Sequence, residues 1–167
     1  MNLHRMLLGR EAEGRAIGVA VIGAGKFGSM FLHQAPRTKG LRIAGIGDLS
    51  VPRARAALAR IGWEEERITA TRITEDSLAL IADPAVEVVV EATGDPAAGL
   101  RHARHAIRHG KHVVMVNVEA DVLAGPVLAA EAARAGVVYS MAYGDQPALV
   151  AEMVDTVRTA GFRVVAA

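Results

Sequence analysis

Three glycines stand close together where an apolar segment gives way to an amphipathic one. Gly23, Gly25 and Gly28 have the spacing Gly-x-Gly-x-x-Gly and follow the apolar, mostly β-branched run Val19–Ile22. Between a strand and a helix, the first glycine permits a tight turn, the second lets a ligand approach the backbone, and the third lets the helix pack on the strand. The helix N-terminus then offers backbone N–H groups and a partial positive charge to an anion. The pattern predicts a diphosphate site made of Gly23, Ala24, Gly25, Lys26, Phe27 and Gly28.

An acidic residue follows at the distance that a dinucleotide site requires. Because 17 residues of the chain are glycine, the glycine spacing alone also fits an ordinary turn, and Asp48, twenty positions after Gly28, favours the nucleotide interpretation. A carboxylate there accepts hydrogen bonds from the adenosine ribose of NAD and repels the 2′-phosphate of NADP. Ser50, Arg53 and Arg55 would suit a 2′-phosphate, or simply a solvated helix face. The predicted cofactor is therefore NAD or NADP, held here by Asp48, Leu49, Ser50 and Arg53.

Small and polar residues follow the next two apolar segments. Ala92, Thr93 and Gly94 are predicted to border the ribose next to the nicotinamide, although a plain turn in which Asp95 caps a helix fits them too. Asn117 is predicted to bind the nicotinamide ribose or its amide. These loops complete the predicted cofactor site.

The acidic residues after Asn117 leave more than one interpretation open. Glu119 could contact the cofactor or substrate, bind a divalent metal through oxygen, or cap a helix. For Asp121 we favour a helix-end role, and for Asp145 an N-cap before Pro147. No metal site and no catalytic residue is predicted.

Three histidines occupy one predicted helix. His102, His105 and His109 are expected to project away from the sheet, among Arg101, Arg104 and Arg108. So many cations disfavour a metal site, and a surface or subunit contact is expected instead.

The apolar pattern alternates strands with helices along the chain. Strands are predicted over Ile17–Ile22, Leu41–Gly47, Ile68–Ile73, Val86–Glu91, His112–Val116, Val137–Met141 and Phe162–Ala166. Helices are predicted over Asn2–Glu13, Lys26–Ala35, Arg53–Arg60 with its start at Ser50, Glu75–Ala82 capped by Thr74, Pro96–His109, Gly125–Ala135 and Pro147–Thr159. The alternation predicts an α/β fold: a Rossmann-type doubly wound parallel sheet in three layers, with strand order 3-2-1-4-5-6 and a ligand crevice at the carboxyl ends of strands one and four.

Length and composition set the broad class. The 167 residues, 51% of them apolar, suit one domain over 1–167 that begins with a short helix over 2–13. A net charge of +1 and the lack of a long apolar run give no reason to expect a nucleic-acid or membrane partner. The absence of cysteine excludes disulfides and thiolate chemistry and fits a cytoplasmic protein. The apolar ending Phe162–Ala167 leads us to expect that the chain is part of a longer protein.

Four segments together resemble a known family. They are Val19–Gly28, Val88–Gly94, Gly110–Asn117 and Tyr143–Leu149, and they are similar to the nucleotide-binding domain of homoserine dehydrogenase-like oxidoreductases. Gly23–Met30 and Asn117–Asp121 resemble most the 1-deoxy-D-xylulose 5-phosphate reductoisomerase-like branch.

The resemblance implies an NAD(P)-dependent oxidoreductase that moves a hydride to or from a small carbonyl or alcohol substrate. The reductoisomerase-like branch would imply NADPH and isoprenoid biosynthesis, and a substrate domain would follow residue 167. Homoserine dehydrogenases carry a lysine just after the strand-five asparagine, where this chain has Val118 and Glu119, so no catalytic residue is carried over. The alternative function is a non-catalytic dinucleotide-sensing or interaction module that forms a homodimer through its outer helices.

Overall fold

Six strands form one parallel sheet within residues 2–144 and 146–166, the part of the chain that the computed structural model describes. Their order is β3-β2-β1-β4-β5-β6, as predicted. The strands are β1 Ile17–Ile22, β2 Leu41–Gly47, β3 Ile73–Thr74, β4 Val88–Glu91, β5 His112–Met115 and β6 Tyr139–Met141. The direction of winding reverses between β1 and β4, so a crevice opens at the carboxyl ends of these two strands.

Helices cover both faces of the sheet, which confirms the predicted α/β class. They are α1 Leu3–Ala12, α2 Lys26–Gln34, α3 Val51–Arg60, α4 Glu65–Ala70, α5 Ser77–Ile81, α6 Pro96–Arg108, α7 Val118–Ala135 and α8 Gln146–Thr159, with a 3₁₀ turn over Ala35–Arg37. Side-chain caps start four of the helices near the crevice: Ser50, Asp76, Asp95 and Asn117 each accept a hydrogen bond from a backbone N–H in the first turn. The sequence therefore places several polar residues at one edge of the sheet.

Strand β1 is buried on both faces because it lies in the middle of the sheet. Ala20 and Ile22 pack into a cluster with α6 and α7, whereas Val19 and Val21 pack into a second cluster with α3. All four are at most 3% exposed. Burial on both faces accounts for the uninterrupted apolar run ahead of the glycines.

The predicted third strand over Ile68–Ile73 is wrong. Residues Glu65–Ala70 form α4, and the strand consists only of Ile73 and Thr74, which pair with Ile46 and Gly47 of β2. Ile68 is 2% exposed and packs into the α3-side cluster from the helix. A short apolar run carries no clear period, so a buried helical residue was mistaken for a buried strand.

Two predictions near the end of the chain are also wrong. Helix α7 begins at Val118 rather than at Gly125, because Asn117 caps it and the following residues continue the helix through Pro126. Proline removes the hydrogen bond to the carbonyl four residues earlier, that of Val122, a residue that is 80% exposed. Residues 162–166 are not in a strand.

The predicted amino-terminal helix is present as α1, capped by the Asn2 side chain. It lies at the amino-terminal edge of the sheet, where Glu11 accepts a hydrogen bond from the backbone N–H of Gly40 at 2.9 Å and Arg10 lies 3.7 Å from Glu87. The helix is therefore remote from the crevice. Among the described residues, no helix is both long enough and apolar enough to cross a membrane.

Candidate dinucleotide-binding site

The turn between β1 and α2 has the geometry that its three glycines predict. Gly23 has φ +98°, and a Cβ atom there would lie 2.7 Å from the carbonyl oxygen of Ala92. A Cβ atom on Gly28 would overlap the carbonyl oxygen of Gly23. Around Gly25, by contrast, a Cβ atom would meet nothing within 4 Å, and no side chain caps the helix there. Two glycines thus serve packing, and the third leaves the start of α2 open to a ligand.

Asp48 at the end of β2 is joined to this turn. Asp48 is buried, with 7% of the residue exposed. Its carboxylate accepts hydrogen bonds from the backbone N–H of Ala24 at 2.9 Å and from that of Ser50 at 3.0 Å. The Arg53 guanidinium donates a third hydrogen bond at 2.8 Å. Burial by itself would raise the pKa of Asp48, but the Ala24 N–H, Arg53 and the Ser50 N–H outweigh it and hold the pKa below its usual value. Asp48 is therefore anionic at neutral pH and is largely occupied by groups of the protein.

The residues after Asp48 divide between local structure and the crevice. The Ser50 hydroxyl accepts the backbone N–H of Arg53 and so caps α3. The Arg53 side chain is 68% exposed, and Leu49 is 89% exposed. Arg55, considered above for a 2′-phosphate, donates instead to the carbonyl of Ile68 at 3.4 Å. Arg53 is thus the arginine of this pair that reaches the crevice.

A cleft of about 660 Å³ occupies the carboxyl edge of the sheet. This volume is in the range that small-molecule and cofactor sites use. Of the residues predicted to bind cofactor, seven line it: Gly23, Gly25, Asp48, Leu49, Arg53, Ala92 and Thr93. The other eight do not: Ala24, Lys26, Phe27, Gly28, Ser50, Gly94, Asn117 and Glu119.

Sequence reasoning missed one wall of this cleft. That wall is formed by the loop after β3, the start of α5 and the first turns of α6, and its polar members are Glu75, Asp76, Ser77, Arg101 and His102. The loops that follow parallel strands lie at the same edge of the sheet. A prediction that placed the third strand at residues 73–74 would therefore have included Glu75–Ser77 among the cleft residues. Nothing in the helical pattern of α6 indicated that His102 faces inwards.

Asn117 connects two loops at the base of the cleft. It is 2% exposed, and its Oδ1 accepts the backbone N–H of Ala120 at 3.1 Å, which caps α7. Its Nδ2 donates to the carbonyl of Asp95 at 2.8 Å and lies 3.4 Å from the Thr93 hydroxyl. Asn117 therefore lies behind Thr93 and fixes the loop after β4, while its predicted contact with the nicotinamide half stays a prediction.

Glu91, the last residue of β4, is the most deeply buried carboxylate of the described residues. It is 0% exposed, and its Oε1 accepts the Thr93 hydroxyl at 2.6 Å and lies 3.3 Å from Nδ1 of His102. Its Oε2 has no hydrogen-bond partner among the described residues. The predicted outward position of His102 is wrong, because this residue is 6% exposed and lies against Glu91.

The other two histidines of α6 are nearer the surface. His105 is partly buried and its Nε2 lies 3.1 Å from the carbonyl of Leu78, while its ring is 4.2 Å from that of His109. Burial, followed by the neighbouring His109, lowers the pKa of His105. Among the described residues, no group of three histidines and carboxylates is placed to hold a metal ion.

The acidic residues of the first turn of α7 have separate environments. Asp121 accepts the Tyr139 hydroxyl at 2.7 Å, a contact that the helix-end interpretation did not include. Burial, and next the hydrogen bond to Asp121, raises the pKa of Tyr139. Glu119 is exposed. The predicted cap Asp145 lies outside the described residues, and nearby Tyr143 donates to Glu152 at 2.7 Å.

The hydrogen-bonding groups and the shape of the cleft are suited to a dinucleotide. The open start of α2 at Gly25 suits a diphosphate, since Gly23 and Gly28 leave room for the turn and no side chain blocks the backbone. Asp48 and Arg53 stand on the side of β2, where the adenosine ribose of a dinucleotide lies, and Thr93 stands on the side of β4. The arrangement can hold and orient a cofactor.

Comparison with known proteins agrees with this geometry. Residues 23–141 match the model of the homoserine dehydrogenase NAD-binding domain. A homoserine dehydrogenase from Thiobacillus denitrificans superimposes with a TM-score of 0.65 at 23% identity, covering 75% of this chain and 29% of that one. GenD2 from gentamicin A biosynthesis, in complex with NAD, gives 0.58 at 24% identity, covering 75% and 33%. Biliverdin reductase from Synechocystis, in complex with biliverdin and NADP⁺, gives 0.59 at 19% identity, covering 86% and 42%. No curated protein sequence matches the chain.

The solved structures show the shared fold, and this chain spans between 29% and 42% of the length of these three. The family match covers most of the chain, and it begins at Gly23, the first glycine of the turn between β1 and α2. The chain belongs to the family of homoserine dehydrogenase NAD-binding domains.

Proposed function

We propose that this domain binds the dinucleotide for an enzyme that transfers a hydride between nicotinamide and a small carbonyl or alcohol substrate. The observation that carries the proposal is the open N-terminus of α2 at Gly25, facing a cleft that Asp48 borders on one side and Thr93 on the other. The nicotinamide, when bound, supplies or accepts the hydride, and the residues of this chain bind and orient it.

The cofactor preference follows from how Asp48 is occupied. Ala24, Ser50 and Arg53 already donate to its two oxygens, so the ribose of NAD finds fewer free acceptor positions than an open carboxylate would offer. The exposed Arg53 guanidinium adds a positive charge where a 2′-phosphate would lie. We therefore expect the domain to bind both NAD and NADP, with Arg53 supporting the phosphorylated form.

Two reactions, each with its own substrate, are proposed for the whole protein. The family match supports a homoserine dehydrogenase-like reaction. The segments Gly23–Met30 and Asn117–Asp121 support a reaction similar to that of 1-deoxy-D-xylulose 5-phosphate reductoisomerase. Because the chain spans less than half of the length of the three solved structures compared above, we propose that the substrate pocket and catalytic groups lie in a further domain of the whole protein.

Nucleotide fluorescence tests the binding proposal. Titrating the chain into NADH and into NADPH should give saturable binding of at least one of them, and Gly25→Val, which fills the open position at the start of α2, should weaken it. Absence of binding of both nucleotides at millimolar concentration contradicts the proposal. For the whole protein, parallel assays with homoserine and with 1-deoxy-D-xylulose 5-phosphate distinguish the two reactions.

A further inference from the structure

A buried carboxylate with an unused oxygen lies at the centre of the crevice edge. Glu91 pairs in register with Ile22 of β1 and with Met115 of β5, so it ends the strand beside the point where the winding reverses. It and Asp48 are the two buried carboxylates of the described residues. Asp48 accepts three N–H groups, whereas both partners of Glu91, Thr93 and His102, lie at Oε1.

The absence of a side chain at Gly99 leaves space beside Oε2 of this carboxylate. A Cβ atom at Gly99 would lie 3.2 Å from Oε2 of Glu91 and 2.7 Å from Nδ2 of Asn117. The buried ammonium group of Lys111 lies at the other end of β4, where it donates to the carbonyls of Asp83 and Val86. His102 is the only ionisable side chain that is hydrogen-bonded to Glu91 among the described residues.

We propose that Glu91 makes the site select the oxidised cofactor over the reduced one, an inference that rests on the proposed function. The nicotinamide ring carries one positive charge when oxidised and none when reduced. Thr93, which lines the cleft and donates its hydroxyl to Glu91, joins this carboxylate to the loop on the nicotinamide side. A nearby positive charge stabilises the ionised form of a poorly solvated carboxyl group, so the oxidised form gains an attraction that the reduced form lacks.

The size of the effect follows from the charge difference. Two unit charges about 10 Å apart in a protein environment interact strongly enough to change an equilibrium constant roughly tenfold. Because Glu91 is fully buried, salt screens this interaction less than it would between surface groups. A loss of hydrogen bonding that only distorted the loop would weaken both redox forms by the same factor.

Calorimetric titration of the wild type and Glu91→Gln with NAD⁺, NADH and ADP-ribose tests the proposal, with NADP⁺ and NADPH as a second pair. The wild type should bind the oxidised form more tightly than the reduced form, and Glu91→Gln should shift the ratio of their dissociation constants roughly tenfold towards the reduced form. Thr93→Val and His102→Asn, which keep the carboxylate, should leave the wild-type preference for the oxidised form in place.

Two results would overturn the proposal: an unchanged ratio in Glu91→Gln, or a wild type that binds NADH as tightly as NAD⁺. The second result needs no variant, so it decides the matter even if Glu91→Gln does not fold. Failure of the wild type to bind any of these nucleotides, ADP-ribose included, would overturn the proposed function and this inference with it.

Discussion

The Asp48 carboxylate accepts the backbone N–H of Ala24 at 2.9 Å, so the end of β2 holds the glycine turn that follows β1. This bond lies within the protein, although Asp48 occupies the position that the sequence assigned to ribose recognition. Arg53 holds the opposite oxygen at 2.8 Å. Asp48 therefore fixes the position of the glycine turn through contacts within the protein.

Asp48→Asn should lower the free energy of unfolding by about 1–2 kcal/mol at pH 7, because a charge-assisted pair with Arg53 is replaced by a neutral contact. The pKa of Asp48 is held below its ordinary value of 3.8 in the folded chain. Its stabilisation is thus present above that value and is lost as the pH falls through the lower, folded-state pKa. Urea unfolding from pH 7 down to pH 3 should show a steeper loss in the wild type than in the variant. Identical pH profiles would contradict this role.

The same substitution at two glycines should have different effects. Gly25→Ala adds a methyl group to open space, so the midpoint of thermal unfolding should change little, while nucleotide affinity should fall at least about tenfold because the backbone is obstructed. Gly28→Ala brings a methyl group onto the carbonyl of Gly23 and should destabilise the fold by roughly 2 kcal/mol or more. Calorimetric unfolding and nucleotide titration of both variants separate the two effects, and equal destabilisation would refute the assignment.

Arg53→Met should change cofactor preference more than stability. The side chain is 68% exposed, so its loss should cost roughly 1 kcal/mol or less in unfolding free energy. The affinity for NADPH should fall several-fold or more, whereas that for NADH should be unchanged or higher, because Asp48 becomes free to accept the ribose hydroxyls. Arg55→Met serves as the matched control, since Arg55 donates to the carbonyl of Ile68. A parallel loss of both nucleotides in Arg53→Met would rule out a role in selection.

The Tyr139–Asp121 hydrogen bond should appear in the alkaline stability of the domain. Burial and this bond raise the pKa of Tyr139 above its ordinary value of 10.0, so its stabilisation is fully present below pH 10 and is lost as the pH rises further. Tyr139→Phe should cost about 1 kcal/mol at pH 7 and flatten the decline above pH 10. Tyr143→Phe is the control: its hydrogen bond to Glu152 also raises the pKa of Tyr143, but the residue is exposed, so this substitution should flatten the decline much less than Tyr139→Phe does.

The strand order was predictable because mostly apolar segments alternate with helices whose starts are recognisable: the glycine turn follows β1, and capping side chains follow β2, β4 and β5. The secondary structure after α3 could not be predicted, because a buried apolar residue such as Ile68 can belong to a helix or to a strand. The start of α7 was misplaced because Pro126 resembles a first-turn proline, whereas the capping side chain of Asn117 lies nine positions earlier.

In the candidate site, the residues of the glycine turn and those after β2 could be predicted, because the spacing of Gly23, Gly25, Gly28 and Asp48 along the chain is visible in the sequence. Glu91 and His102 were not identified, because their contact joins the end of β4 to the second turn of α6. A histidine among arginines is typical of an exposed face, and only the packing of α6 against the sheet turns this one inwards. The contact between Glu91 and His102 thus depends on tertiary packing, which the sequence pattern does not reveal.

The central claim is that a dinucleotide diphosphate binds to the backbone of the turn between β1 and α2. Backbone amide resonances of ¹⁵N-labelled protein, followed during titration with NADPH and with NADH, test it most directly. The account predicts saturable shifts of the amides of Gly23 to Gly28, with those of Leu49 and Thr93 changing alongside and those of α1 unmoved. Saturable binding that leaves the amides from Gly23 to Gly28 unchanged would contradict it.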